Sequence, residues 1–153
     1  MTRFPLKLAA LALAAGLPAA AAVTVSFPSP TYSDIGPPGF EADSVKNDLA
    51  RHLQALGDRY LAPDDDLWLE VIDVDLAGER THGRYDLRVA RGNSDFPRMT
   101  LRYKLSGPRS ASGQDDIGDS SYLWFPSRAR QPERLEFEKK MLEDWFKQRF
   151  ARP

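Results

Sequence analysis

The 153-residue chain contains no cysteine. This excludes disulfide bonds, a cysteine nucleophile and the lipid-modified cysteine of a bacterial lipoprotein, so the fold must be stabilised by a packed core. Histidine is also scarce, because His52 and His82 are the only two, and neither belongs to an H-E-x-x-H motif. No G-x-S-x-G motif is present either. These absences predict a protein that is not an enzyme and needs no cofactor, although paired carboxylates for hydrolysis would be recognisable only in space.

The chain has no excess of charge of either sign, with 21 lysines and arginines against 22 aspartates and glutamates. Proteins that bind nucleic acids carry a basic patch or a strongly basic composition. The balanced composition therefore predicts no nucleic-acid partner.

A long apolar run is absent except near the N-terminus. Two basic residues precede an apolar run over residues 8–17, and four alanines follow at residues 19–22. This is the layout of a secretory signal peptide that is cleaved before Val23. The run is shorter than the roughly 20 residues that span a bilayer. We therefore predict a cleaved signal peptide (residues 1–22), a single domain (residues 23–153) and no transmembrane span in the mature chain.

The spacing of apolar residues predicts an α+β fold. Intervals of three and four predict a helix within residues 43–63, capped by Asp43 or Ser44, and a second helix within residues 131–150. Alternation predicts strands at residues 23–27, 64–79, 85–91 and 98–107, and a weaker edge strand within residues 114–125. The resulting order, β-α-β-β-β-(β)-α, predicts an antiparallel sheet of four to five strands with two helices packed on one face.

The long second strand carries two aspartates one residue apart, Asp73 and Asp75. Strict alternation would place them on one face together with Leu67, Leu69 and Val71. We expect Arg102 and Lys104 on the neighbouring strand to form cross-strand ion pairs with them. The opposite face would carry Trp68, Ile72, Val74 and Leu76, with Glu70 out of pattern.

Several short runs resemble one known family. They are YSDI (residues 32–35), EVIDVDLAG (70–78), DFPRMTLRYKL (95–105), DSSYL (119–123) and FEKKMLEDWF (137–146). Together they resemble the domain of unknown function 3016 family, which consists of small exported proteins of Gram-negative bacteria. The resemblance covers nearly all of the mature chain and implies a single exported domain in the periplasm or outside the cell. It implies no activity.

A partly apolar sheet face with charges at its rim is typical of an interaction surface. We therefore predict a non-enzymatic binding or envelope-accessory module with a protein partner in the cell envelope. The candidate binding face consists of Leu69, Val71, Asp73, Asp75, Arg102 and Lys104.

Two alternatives use other features. Carboxylate oxygens are the ligands that calcium prefers, so a metal or small-ligand site is the second candidate, although no EF-hand loop is present. It would consist of Asp34, Asp73, Asp75 and Asp119. The aromatic residues near the C-terminus, Trp145, Phe146 and Phe150, would suit a membrane surface, but interleaved acidic residues favour a stripe that faces the core.

Overall fold

The computed structural model describes residues 21–81, 87–89, 94–124 and 133–151. The predicted signal peptide, except for its last two residues, lies outside this part of the chain, as does His82. The elements of the described residues are, in chain order, β1 (Ala22–Ser26), α1 (Phe40–Tyr60), β2 (Asp66–Asp75), β3 (Glu79–Thr81), β4 (Leu87–Val89), β5 (Arg98–Ser106), β6 (Ala111–Gly118), a 3-10 helix (Tyr122–Trp124) and α2 (Glu136–Phe150).

Four strands form one sheet in the order β1-β2-β5-β6. β5 pairs antiparallel with both β2 and β6, as predicted. β1, however, pairs parallel with β2, so the sheet is mixed rather than fully antiparallel. The cause is the connection, because α1 returns the chain to the level at which β1 began, as in a β-α-β unit. β3 and β4 form a separate two-stranded hairpin.

Both helices pack on the same face of this sheet, which confirms the predicted α+β arrangement. β5 shows the predicted alternation, since Met99, Leu101, Tyr103 and Leu105 are all buried. The core that they form with the helices also contains Val45, Leu49, Leu53, Leu56, Met141, Leu142, Trp145, Phe146 and Phe150. The aromatic residues of α2 therefore face the core. In the described part of the chain, no helix is both long enough and apolar enough to cross a membrane.

Gly57 lets α1 approach β1 closely. A Cβ atom at this position would overlap the Cγ2 atom of Val23. The absence of a side chain therefore outweighs the intrinsic cost of glycine within a helix.

The start of α1 differs from the prediction. The helix begins at Phe40, and Gly39 occupies the N-cap position in place of Asp43 or Ser44. The backbone N–H of Asp43 donates to the carbonyl oxygen of Gly39, so Asp43 already lies in the first turn. Acidic residues are favourable there because they interact with the positive end of the helix dipole.

The segment of residues 27–36, here called the covering segment, continues along the edge of β2 after β1 has ended. Ser29 Oγ donates to the Ile72 carbonyl oxygen at 2.6 Å, and the backbone N–H of Asp34 donates to the Val74 carbonyl oxygen at 3.1 Å. Tyr32 and Ile35 are buried. This segment therefore protects the part of the β2 edge that β1 leaves unpaired.

Candidate binding face

A β-bulge in β2 divides the predicted binding face. The register of β2 against β5 shifts between Val71 and Asp73, so Ile72 is the extra residue. Leu69 and Val71 are fully buried under the helices, and Val74 is buried with them. Asp73 and Asp75 consequently lie on the opposite face of the sheet. The prediction that Leu69 and Val71 share a face with the aspartates is wrong, because strict alternation does not hold through a bulge.

The sheet face opposite the helices, here called the open face, carries side chains in cross-strand rows. Arg102 and Lys104 lie on it as predicted, but β2 contributes Trp68, Glu70, Asp73 and Asp75. From the paired register, the rows are Ala22–Asp66–Ser106, Thr24–Trp68–Lys104–Ser112, Ser26–Glu70–Arg102–Gln114, Asp73–Thr100–Asp116 and Asp75–Arg98–Gly118.

Arg102 forms its ion pair with Glu70, not with either aspartate. Its Nη1 atom lies 2.7 Å from Glu70 Oε2, and its Nη2 atom donates to Gln114 Oε1 at 3.3 Å. The predicted ion pair between Arg102 and the aspartates is therefore replaced by a pair within its own row. The register is the cause, because it places Glu70 directly opposite Arg102 and Asp73 opposite Thr100.

Asp73 is fixed by the covering segment. Its carboxylate accepts hydrogen bonds from the Ser33 backbone N–H at 2.8 Å and from Ser33 Oγ at 2.5 Å. Partial burial alone would raise the pKa of Asp73. The Ser33 hydrogen bonds outweigh this effect and hold the pKa below its usual value. The carboxylate is therefore charged at neutral pH and already has two donors.

Asp75 lies in a different electrostatic environment. Burial raises the pKa of Asp75, the facing Arg98 opposes the increase, and the carboxylates of Asp95 and Asp73 add to it. Arg98 also stacks over the ring of Phe96, with its Cζ atom 4.0 Å from the ring centroid. Cation, ring and carboxylate thus lie together at one end of the open face.

This end of the open face forms a shallow depression of about 580 Å³. Thr100 Oγ1 donates to Asp116 Oδ1 at 2.7 Å across its floor. The depression combines carboxylates, one guanidinium and an aromatic ring. Its lining includes Ser33, Asp73, Asp75, Phe96, Arg98 and Asp116.

The four aspartates of the alternative metal site do not form a ligand set. Asp34 forms an ion pair with Arg88, and Asp119 accepts hydrogen bonds from the N–H and Oγ of Ser121. Within the described residues, no group of three or more histidine, aspartate or glutamate side chains is arranged to hold a metal ion. Asp73 and Asp75 remain neighbours, but each interacts with different partners.

Trp68 is the residue of the open face that the sequence pattern misassigned. Strict alternation grouped it with Ile72 and Val74 on an apolar face. Its side chain is instead 39% exposed and lies between Thr24 and Lys104. One signal was present in the sequence, because Glu70 did not fit the apolar face. Glu70 and Val74 would share a face under strict alternation, and their opposite polarity indicates that the alternation is interrupted between them.

His52 occupies a structural position at the rim of the core. Its Nε2 atom donates to the backbone carbonyl oxygen of Lys139 at 2.9 Å, which joins α1 to the start of α2. Burial lowers the pKa of His52, and the bond to the carbonyl opposes this effect. The ring is therefore neutral at pH 7.

A second polar cluster, which the sequence did not predict, lies where β2 ends. Arg88 donates to the carbonyl oxygens of Asp34, Ala77 and Gly78 and to the Asp34 carboxylate. The buried Glu138 of α2 accepts the N–H of Ala77 at 2.7 Å. Burial raises the pKa of Glu138, and the Ala77 hydrogen bond only partly opposes it. These contacts tie β4 and α2 to the covering segment and the end of β2.

Burial also dominates at Asp34. It raises the pKa of the carboxyl, Arg88 opposes the increase, and Asp75 adds to it. The Arg88 cluster therefore contains two carboxyl groups whose charged forms are disfavoured by burial. No short-range pattern signals this cluster, because its members come from four separate segments of the chain.

Fold and face together define a small α+β domain with two helices on one side of a mixed sheet and a polar, tryptophan-bearing face on the other. The chain belongs to the family described as Protein of unknown function (DUF3016), whose model matches residues 21–148. The resemblance noted from short sequence runs is thus confirmed. No curated protein and no solved structure matches the chain.

Proposed function

We propose that this protein is an exported, non-enzymatic binding module whose open face docks on a protein partner in the cell envelope. The observation that supports it most directly is the exposure of Trp68 near one end of an otherwise polar sheet face. Exposed tryptophans surrounded by polar groups are typical anchors of protein interfaces, because burying one large ring contributes most of the binding free energy.

The surroundings of Trp68 suit such an interface. Lys104 lies beside it in the same row, and the Glu70–Arg102 pair lies in the next row. Charged groups at the rim of an anchor contribute mainly to orientation and association rate, while the ring contributes affinity. The depression with Asp73 and Arg98 lies further along the same face and would contact the edge of the partner.

The size of the face favours a transient complex. The four strands have 5, 10, 9 and 8 residues. At about 3.3 Å per residue and about 4.8 Å between strands, they give a face of roughly 500 Å². A complex would then bury roughly 1,000 Å² in total, which is the lower limit for specific interfaces. Partner exchange is consistent with an accessory role and disfavours an obligate assembly.

The test is photo-crosslinking in intact cells of the source bacterium. A photoreactive amino acid at position 104 of the open face should give one heavy adduct, and the same probe at position 54 of α1 should not. Trp68→Ala in the position-104 background should remove the adduct. Phe40→Ala, which removes a 92% exposed aromatic ring elsewhere, is the matched control and should leave it unchanged. An adduct that persists in Trp68→Ala would contradict the proposed role of this face.

A further inference from the structure

A groove lies at one side of the sheet, away from Trp68. β6 is the outermost strand, and among the described residues it pairs only with β5. Between the end of β6 and α2 is a groove of about 570 Å³. Its strand side includes Asp116, Ile117 and Asp119, and its helix side includes Met141, Asp144 and Trp145.

Within the described residues, the outward backbone groups of β6 have no strand partner on this side. The N–H of Asp119 donates to the carbonyl oxygen of Pro97, so this pair is a hydrogen-bonded pair of the antiparallel ladder. Hydrogen-bonded and non-hydrogen-bonded pairs alternate along such a ladder. The backbone groups of Ile117 therefore also face β5, whereas those of Ser112, Gln114, Asp116 and Gly118 face outward.

The side chains of the groove are apolar at the bottom and acidic at the rim. Met141 and Trp145 are buried, and Ile117 packs partly against the core. Asp119 and Asp144 place two carboxyl groups around them, against a single lysine, Lys140, which pairs with Asp144, and the Asp116 carboxylate lies on the opposite face of the same strand. The groove therefore has a net negative charge.

We propose that this groove binds an extended peptide segment of another protein by β-strand addition to β6. An added strand would use the outward backbone groups for affinity and alternate side chains for specificity. The apolar floor and the acidic rim select a segment in which an apolar residue is flanked by lysine or arginine. This site does not use Trp68 and does not require the proposed function to hold.

The charge of β6 argues against a second copy of this chain as the occupant. Asp115 is neutralised by its ion pair with Arg149, but pairing of two β6 strands would bring Asp116 of one copy near Asp116 of the other. Like charges on adjacent strands are destabilising, and charged edge strands oppose self-association. A basic segment meets no such repulsion.

The test uses a fluorescently labelled peptide of four lysine–valine repeats. We expect its anisotropy to rise with added protein, and the backbone amide NMR signals of Gln114, Asp116 and Gly118 to shift. A glutamate–valine peptide should bind at least ten-fold more weakly because of the acidic rim. The lysine–valine peptide with N-methylated alternate residues should also lose binding, since it keeps the charge but cannot form the ladder. Equal binding of the N-methylated peptide would overturn the proposal.

Variants of β6 separate the backbone contribution from the charge. Asp116→Ala removes the carboxylate and keeps the outward N–H, whereas Asp116→Pro removes both without breaking a bond to β5. We expect Asp116→Pro to bind about five-fold more weakly than Asp116→Ala, the effect of one lost hydrogen bond. Trp68→Ala should bind the peptide like the unmodified protein. Equal affinities for the two Asp116 variants, or lost binding in Trp68→Ala, would contradict strand addition at β6.

Discussion

At the scale of single residues, the surroundings of each carboxyl group decide its charge. Asp73 has two donors from Ser33 and keeps its pKa below the usual value. Glu138 is 3% exposed, so burial outweighs its backbone hydrogen bonds and its pKa is raised. As the pH falls, the contribution of Asp73 to stability is therefore lost, whereas the contribution of Glu138 becomes more favourable.

Glu138→Gln should stabilise the protein at neutral pH. Because the folded-state pKa of Glu138 lies above its unfolded value, the folded state binds the proton more tightly. The favourable contribution is thus complete below about pH 4.5 and is lost as pH rises through the folded pKa. Glutamine keeps the oxygen that accepts the Ala77 N–H and removes the buried charge. We expect a gain of about 1 kcal/mol in unfolding free energy at pH 7, measured by urea denaturation.

The pH dependence provides the control. The stability difference between Glu138→Gln and the unmodified protein should shrink as pH falls towards 4.5. Glu138→Ala, which also removes the acceptor and leaves a void, should be destabilised at both pH values. A variant Glu138→Gln that is less stable at pH 7 would show that Arg88 stabilises the charge more than burial disfavours it.

At the scale of elements, strands with regular periodicity could be predicted from the sequence, whereas the bulge that interrupts this periodicity in β2 could not. β5 follows strict alternation, so its buried residues could be identified from the sequence. β2 contains a bulge at Ile72, and every side chain beyond it changes face relative to strict alternation. The direction of β1 also depends on the long-range path through α1. Both errors concern pairing partners, which a local pattern does not encode.

Gly57→Ala tests the close packing of α1 on β1. Alanine in a helix is favoured over glycine by about 1 kcal/mol. The new Cβ atom would overlap Val23, however, and overpacking costs about 1–3 kcal/mol. We therefore expect a net loss of about 1 kcal/mol in unfolding free energy, measured by chemical denaturation.

A double-mutant cycle identifies the contact responsible. Val23→Ala makes space for the Cβ atom, so Gly57→Ala in that background should be neutral or stabilising. Ala55→Gly, on the exposed side of α1, is the matched control and should cost about 1 kcal/mol through propensity alone. If Gly57→Ala stabilises the protein with Val23 present, α1 is not held close to β1 by this glycine.

At the scale of the whole molecule, the candidate site could be predicted only in part. Asp73, Asp75, Arg102 and Lys104 do share a sheet face, but its exposed aromatic residue, Trp68, was assigned to the other side. The acidic groove beside β6 is formed by residues about 25 positions apart in the sequence. The α2 residues that line it show only the apolar spacing of an amphipathic helix. Surfaces formed by two elements appear only when the elements are placed together.

The export of the chain is the last prediction at this scale. β1 begins at Ala22 and pairs with β2 from its first residue, so the fold uses the chain immediately after the apolar N-terminal run. Cleavage before Val23 would remove residue 22 and leave Val23 to Ser26 for the parallel pairing. We expect the protein from the periplasmic fraction of a Gram-negative host to begin at Val23, as measured by intact mass spectrometry.

Replacing Leu11 and Leu13 with arginine should keep the uncleaved chain in the cytoplasm, because a charged run is not recognised as a signal peptide. An uncleaved chain in the periplasm would instead show that the N-terminal run is retained after export.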